Sequence, residues 1–118
     1  MSEKRVIADR KGREAEAMAA QWLMGQGFEV IAERVKTKVG EIDLIARKPG
    51  LTAFIEVKWR KRAADLATAI DEPRLARVAA AVEVVGHEYA QPDDDWRIDV
   101  ILLAPGTRPR HITNAWQP

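Results

Sequence analysis

Residues 40–58 read GEIDLIARKPGLTAFIEVK. Two apolar runs, residues 40–46 and 51–59, flank Pro49 and Gly50, a pattern that predicts a β-hairpin. Each run carries an acid in its middle, Asp43 in the first and Glu56 in the second, and Lys58 follows Glu56 two residues on. Side chains alternate along a strand, so Glu56 and Lys58 share a face. A charge withdrawn from water needs an ionic partner or a metal. An antiparallel pairing that sets Asp43 beside Glu56 would make two carboxylates repel unless a cation or a proton lay between them. A structural acid–lysine pair on a half-exposed sheet accounts for the same three residues, and the stretch alone leaves both readings open.

The 118 residues suit one domain. With no cysteine in the chain, disulfides and thiolate metal sites are excluded, and any metal must rest on carboxylates, carbonyls or the two histidines. Oxygen donors favour Mg²⁺ or Mn²⁺ over Zn²⁺. No segment approaches the roughly 20 apolar residues of a membrane helix, and no secretory h-region is visible, so the protein reads as cytoplasmic and independent of membranes. The net charge of +1 is too small to point to a partner, so any nucleic-acid surface must be a local patch.

Outward from the hairpin, residues 1–11 are polar and read as a flexible N-terminal segment, with the domain over residues 12–118. A helix is predicted from Arg13 to about Met24, with Ala15, Ala19, Trp22 and Leu23 as its apolar stripe and Gly25 and Gly27 at its end. Glu16 lies on or beside that stripe and needs a partner, either Arg13 or a strand residue. Residues 28–35 alternate as a first strand, and Lys36 and Lys38 precede the hairpin. After it comes Lys58-Trp59-Arg60-Lys61-Arg62, a basic run that is either a phosphate surface or a solvated charge run. Alternation puts Trp59 with Ile55 and Val57, favouring the core over base stacking.

Residues 63–72 fit helix or loop. Pro73, behind Asp71 and Glu72, suits the first turn of a second helix whose stripe is Leu75, Val78, Ala79, Val82, Val85 and Tyr89. Residues 97–103, RIDVILL, read as a strand covered on both faces, with Asp99 as a buried acid paired to an arginine. Residues 111–116 read as a last short strand. His87 and His111 lack ligand-spaced neighbours and read as surface residues.

An Asp followed on the next strand by acid-X-Lys resembles the active site of the PD-(D/E)XK nuclease superfamily. GEIDLIA, IEVK and RIDV, with Gly12, Arg13 and Glu16 ahead of them and Asn114, Ala115 and Trp116 behind, resemble the YraN-like family of small bacterial proteins within it. The resemblance runs from Gly12 to Trp116. It implies an α/β fold of the restriction-endonuclease type, a mixed β-sheet flanked by helices in the order α-β-β-β-α-β-β. It also implies a metal-dependent nuclease, with a non-catalytic nucleic-acid-binding protein as the alternative. Asp43, Glu56 and the Val57 carbonyl would hold Mg²⁺ or Mn²⁺. Lys58 would act on the attacking water or the transition state, and Glu16 would reach the site from the first helix. The family places a lysine, often followed by glutamine, at the start of the second helix; Arg74 and Leu75 stand there in this chain. Lys36, Lys38, Arg60, Lys61, Arg62 and Arg74 are the expected nucleic-acid contacts. The implied partner is nucleic acid, DNA ahead of RNA, with a homodimer left open.

Overall fold

A computed structural model describes residues 2–116 of the chain. The hairpin is its centre: β2 (Glu41–Lys48) and β3 (Leu51–Trp59) pair antiparallel from Lys48 and Leu51 inward. Pro49 presets the first turn torsion, and Gly50 takes the left-handed φ of 79° that the tight return requires. On the outer side of β2 lies β1 (Glu29–Lys36), antiparallel, with an irregularity between Val30 and Ala32. On the outer side of β3 lies β4 (Asp95–Leu103), which is parallel to it, and β5 (Arg110–Ile112) closes the sheet antiparallel to β4. Parallel neighbours need a long crossover. Residues 60–94 supply it as a short 3₁₀ turn (Ala63–Thr68) and α2 (Glu72–Tyr89). With α1 (Glu3–Gly25) in front, the order is α-β-β-β-α-β-β and the sheet is mixed, as expected.

The two helices bury opposite faces of the sheet. α1 lays Ala15, Ala19, Ala20 and Leu23 on Leu44, Ala46, Ile55, Ile101 and Leu103. α2 sets Val78, Ala81 and Val82 on Ile42, Ile45 and Phe54, and Leu75 on Val100 and Leu102. Phe54 is wholly enclosed, and truncating such a side chain to alanine typically destabilises by about 3–5 kcal/mol. Of the predicted α2 stripe, Ala79, Val85 and Tyr89 are only partly covered, and Ala81 and Gly86 are buried in addition. Asp71 caps the helix by accepting the Arg74 N–H, which fixes its start where the proline pattern expects it.

Two boundaries differ clearly from expectation. α1 begins at Glu3 rather than Arg13, because Ser2 caps it, its side chain accepting the Arg5 N–H at 3.2 Å. The added turns are exposed, so no apolar periodicity could reveal them. The last strand stops at Ile112. Asn114 then takes a φ of 52° and the Ala115 N–H donates to the Ile98 carbonyl at 2.7 Å, which folds Ala115 and Trp116 onto the core. Residues 113 and 114 are therefore a turn, and 115 and 116 follow it without regular structure rather than as strand. Among the described residues no helix is long and apolar enough to cross a membrane.

Candidate functional site

The β2–β3 ladder runs regularly as far as the pair Leu44–Ile55. One further step in register would set Asp43 opposite Glu56. At that point the Asp43 carboxylate acts as the acceptor for β3, its Oδ2 receiving the Val57 N–H at 2.8 Å. The two acids named from the sequence thus meet at the end of the ladder, both buried. α2 completes the arrangement. Gly40, at the mouth of β2, lies so close to the Arg77 carbonyl that any Cβ would collide with it. The bare backbone there lets the first turns of α2 close on the hairpin, and the Arg74 Nε donates to Glu56 Oε1. Lys58 Nζ stands 3.6 Å from the same oxygen.

From the other face, Glu16 on α1 accepts from the Arg34 Nε of β1 at 2.7 Å. Of the two partners expected for Glu16, the strand residue is the one observed. Arg34 has a φ of 51°, a left-handed conformation uncommon for a side chain of its size. Nothing in the sequence announces that conformation, and the Glu16–Arg34 pair was legible only as a need.

The electrostatics single out Asp43. Burial pushes its carboxyl up, and the Val57 N–H opposes that. The negative charges of Glu16 and then Glu56 push it up further, while Arg74 offsets part of the rise; the result is a pKa of about 6. Glu56 has two cations on one oxygen and Glu16 has one, whereas Asp43 has a single backbone donor.

The expected basic contacts fall into separate groups. Lys36 and Arg74 line one groove of about 340 Å³, together with Gly40, Glu41 and Arg77. Arg60, Lys61 and Arg62 leave the end of β3, but two of them are engaged. Arg60 donates to the Trp59 carbonyl at 2.8 Å, and Arg62 pairs with Asp65 at 3.2 Å. Lys38 is exposed on the β1–β2 turn. Trp59 packs against the α1-side core, as alternation requires, with the Lys11 ammonium 5.7 Å from its ring centre.

Asp99 belongs elsewhere. It is fully buried and takes both guanidinium arms of Arg97 at 2.8 and 2.9 Å. It also accepts the Asn114 N–H at 2.9 Å and lies 2.8 Å from His111 Nε2. The pairing with arginine is as expected. The surface reading of His111 is corrected: pairing of β4 with β5 turns its ring inward onto Asp99, and only 13% of the side chain is exposed. His87 is exposed.

A divalent cation at the hairpin would find only hard oxygen donors, the Asp43 and Glu56 carboxylates and nearby carbonyls, which is the donor set that Mg²⁺ and Mn²⁺ prefer. Among the described residues no three His, Asp or Glu side chains are gathered into a metal cage. Mg²⁺ is commonly held by one or two carboxylates plus substrate phosphates, so two acids fit that mode of binding.

The family model of the uncharacterised protein family UPF0102 matches residues 15–103. A UPF0102 protein of Erythrobacter litoralis is 62% identical over 115 residues, covering 98% of this chain and 99% of the relative. One from Sphingopyxis alaskensis is 54% identical over 114 residues, covering 97% and 98%. Among solved structures, a Holliday junction resolvase of Archaeoglobus fulgidus superposes with a TM-score of 0.60 at 20% identity, over 87% of this chain and 72% of that one. That likeness fixes the architecture: the mixed sheet and its flanking helices have the restriction-endonuclease-like arrangement that the resolvase shares.

Proposed function

The chain belongs to the uncharacterised protein family UPF0102, the YraN-like family its sequence resembles, and we propose that it is a divalent-metal-dependent nuclease that hydrolyses phosphodiester bonds in nucleic acid, DNA foremost. The observation that carries this reading is Asp43. It is a buried acid that, among the described residues, forms no ion pair, is only partly offset by the nearby Arg74, and is crowded by two other acids at the end of a ladder, with its pKa raised to about 6. Such a group is poorly explained as scaffold, because a structural carboxylate is stabilised by its surroundings. The resolvase fold neighbour supports the same class of chemistry, by analogy of architecture.

In this reading Asp43, Glu56 and the Val57 carbonyl would hold Mg²⁺ or Mn²⁺. When bound, the ion supplies Lewis-acid stabilisation of the phosphoryl charge and makes water a better nucleophile. The chain's own groups do the rest. Lys58, tethered beside Glu56, presents a compact positive charge to the attacking water and to the oxyanion of the pentavalent transition state. Glu16, held by Arg34, would orient water from the α1 side. Arg74 and Lys36 face one groove and would take backbone phosphates, with Lys38, Arg60, Lys61 and Arg62 extending the contact.

A second reading is favoured by one specific contact: Arg74 already occupies the Glu56 oxygen that a metal would need. A nucleic-acid-binding protein that retains the nuclease fold without cleavage fits that contact. One experiment separates the two. The protein is incubated with linear, nicked and branched DNA and with RNA, in Mg²⁺ and in Mn²⁺. Cleavage that disappears in Asp43→Asn establishes the nuclease, and binding without cleavage of any substrate establishes the alternative.

A further inference from the structure

We infer that the first three turns of α1 are a nucleic-acid-binding arm, which grips the phosphate backbone of a duplex beside the hairpin site. The inference rests on the nuclease reading for its class of ligand, and on three observations for the surface itself. First, residues 3–11 are helical yet exposed at every position, and the first buried side chain of α1 is Ala15. At about 1.5 Å per residue, those nine residues project the helix roughly 13 Å beyond its packed part. Isolated helical turns of that length are marginal in water, so core packing does not account for them.

Second, charge is segregated. The chain has a net charge of +1, yet residues 3–11 hold four basic side chains (Lys4, Arg5, Arg10 and Lys11) against two acidic ones, and Lys11 also lies 3.8 Å from Glu14. Residues 58–62 hold four basic side chains and no acid. The rest of the chain is therefore net acidic, and these two segments are its most basic runs.

Third, the two segments meet. The Lys11 ammonium lies over the Trp59 ring, which sits inside the basic run at the end of β3, three residues beyond Glu56. Lys4 is seven residues before Lys11, two helical turns along the same face of α1. Arm and basic run thus meet at the end of β3, where Trp59 faces α1 and the adjacent Lys58 faces α2, so the two surfaces adjoin around the strand end. A duplex whose scissile phosphate approaches Lys58 would pass the end of β3 and reach the arm beyond it. The arm bears no aromatic residue for base stacking, which favours the backbone of a duplex over an unpaired strand.

The test is anisotropy of a labelled 20-base-pair DNA duplex titrated with protein over a range of KCl concentrations, in EDTA so that nothing is cleaved. The variant is Lys4→Ala/Arg5→Ala/Arg10→Ala. Alanine keeps the arm helical, and Lys11 stays on Trp59, so the fold is undisturbed. Log affinity against log salt should lose about 0.9 of slope for each phosphate contact removed, and affinity near 100 mM salt should fall roughly tenfold or more. An unchanged slope with unchanged helicity by circular dichroism overturns the inference. The nuclease reading stands or falls separately. A parent that cleaves nothing but shows the arm-dependent slope loses the nuclease and keeps the arm; a parent that cleaves with an arm-independent slope does the reverse.

Discussion

Two buried aspartates of this sheet, on the two strands that flank β3, have opposite surroundings. Asp99 on β4 is met by the two arms of Arg97, by His111 and by the Asn114 N–H. Burial would raise its pKa, but those partners outweigh burial and hold it below the ordinary carboxylate range. Asp43 on β2 has the Val57 N–H and two acidic neighbours, and its pKa rises to about 6. The same side chain is thus a clasp in one place and an unsatisfied charge in the other. Asp99 ties the end of the chain to the sheet. Asp43 is held at a free-energy cost, which the fold retains at a place where a cation would remove it.

The comparison predicts its largest effect at the clasp. Asp99→Ala leaves Arg97 half-buried without its carboxylate and frees the segment after β5, and should destabilise by about 3–5 kcal/mol, read from urea unfolding. A loss below about 1 kcal/mol would mean the network is ornamental. Its pH dependence has a definite sign. A lowered folded pKa gives stability that is full above the ordinary aspartate value and is lost as the pH falls through the folded one.

Lys58→Ala is next. Glu56 keeps its bond from Arg74 when Lys58 is removed, so the fold should lose little. The rate of single-turnover cleavage should fall about a hundredfold or more, the size associated with losing one preorganised charge. A large drop in melting temperature with full activity in the surviving folded fraction would assign Lys58 to structure.

How much of this was readable in the chain depends on the range of each interaction. The hairpin was legible because alternation and the Pro49-Gly50 turn are local signals, and α2 because Pro73 and its stripe are. The need of Glu16 and Asp99 for partners was legible, since an acid on an apolar pattern cannot stand alone. Which partner each took was less so. Arg34 reaches Glu16 through an unusual backbone conformation, and His111 reaches Asp99 only once β5 pairs with β4. Arg74 was placed at the site by resemblance, but its bond to Glu56 depends on Gly40 admitting α2, a contact between segments more than thirty residues apart in sequence. The exposed turns of α1 carry no apolar pattern, so their helicity was hidden.

Asp43→Asn sharpens the comparison from the other side. The amide oxygen can still accept the Val57 N–H, and the charge repelled by Glu16 and Glu56 is gone. A raised folded pKa means that the group's stabilising contribution is full below about 3.8 and is lost as the pH rises through about 6. At neutral pH the variant should therefore be more stable than the parent by about 2 kcal/mol, or roughly 5–10 °C in melting temperature, with the advantage vanishing near pH 4. Mn²⁺ binding by calorimetry should disappear in the same variant. A less stable Asp43→Asn at pH 7 would show that the carboxylate is as well satisfied as that of Asp99, and would remove the distinction between the two.

The smallest effect concerns the contact that divides the two functional readings. A guanidinium and a divalent cation cannot both take Glu56 Oε1, so each opposes the other. Arg74 is half-exposed, with 53% of its side chain accessible, so its ion pair contributes no more than about 1 kcal/mol. Arg74→Ala should therefore tighten Mn²⁺ binding about fivefold when no nucleic acid is present, the factor that 1 kcal/mol corresponds to. The same variant should bind duplex DNA more weakly, because a side chain released from Glu56 lies in the groove it shares with Lys36 and Arg77. Tighter metal with weaker duplex makes Arg74 a residue that exchanges one partner for another as substrate arrives. Unchanged metal affinity with lower stability makes it a fixed brace for Glu56. The acid at the end of β3 would then resemble Asp99 more than Asp43, and the binding-protein reading would gain.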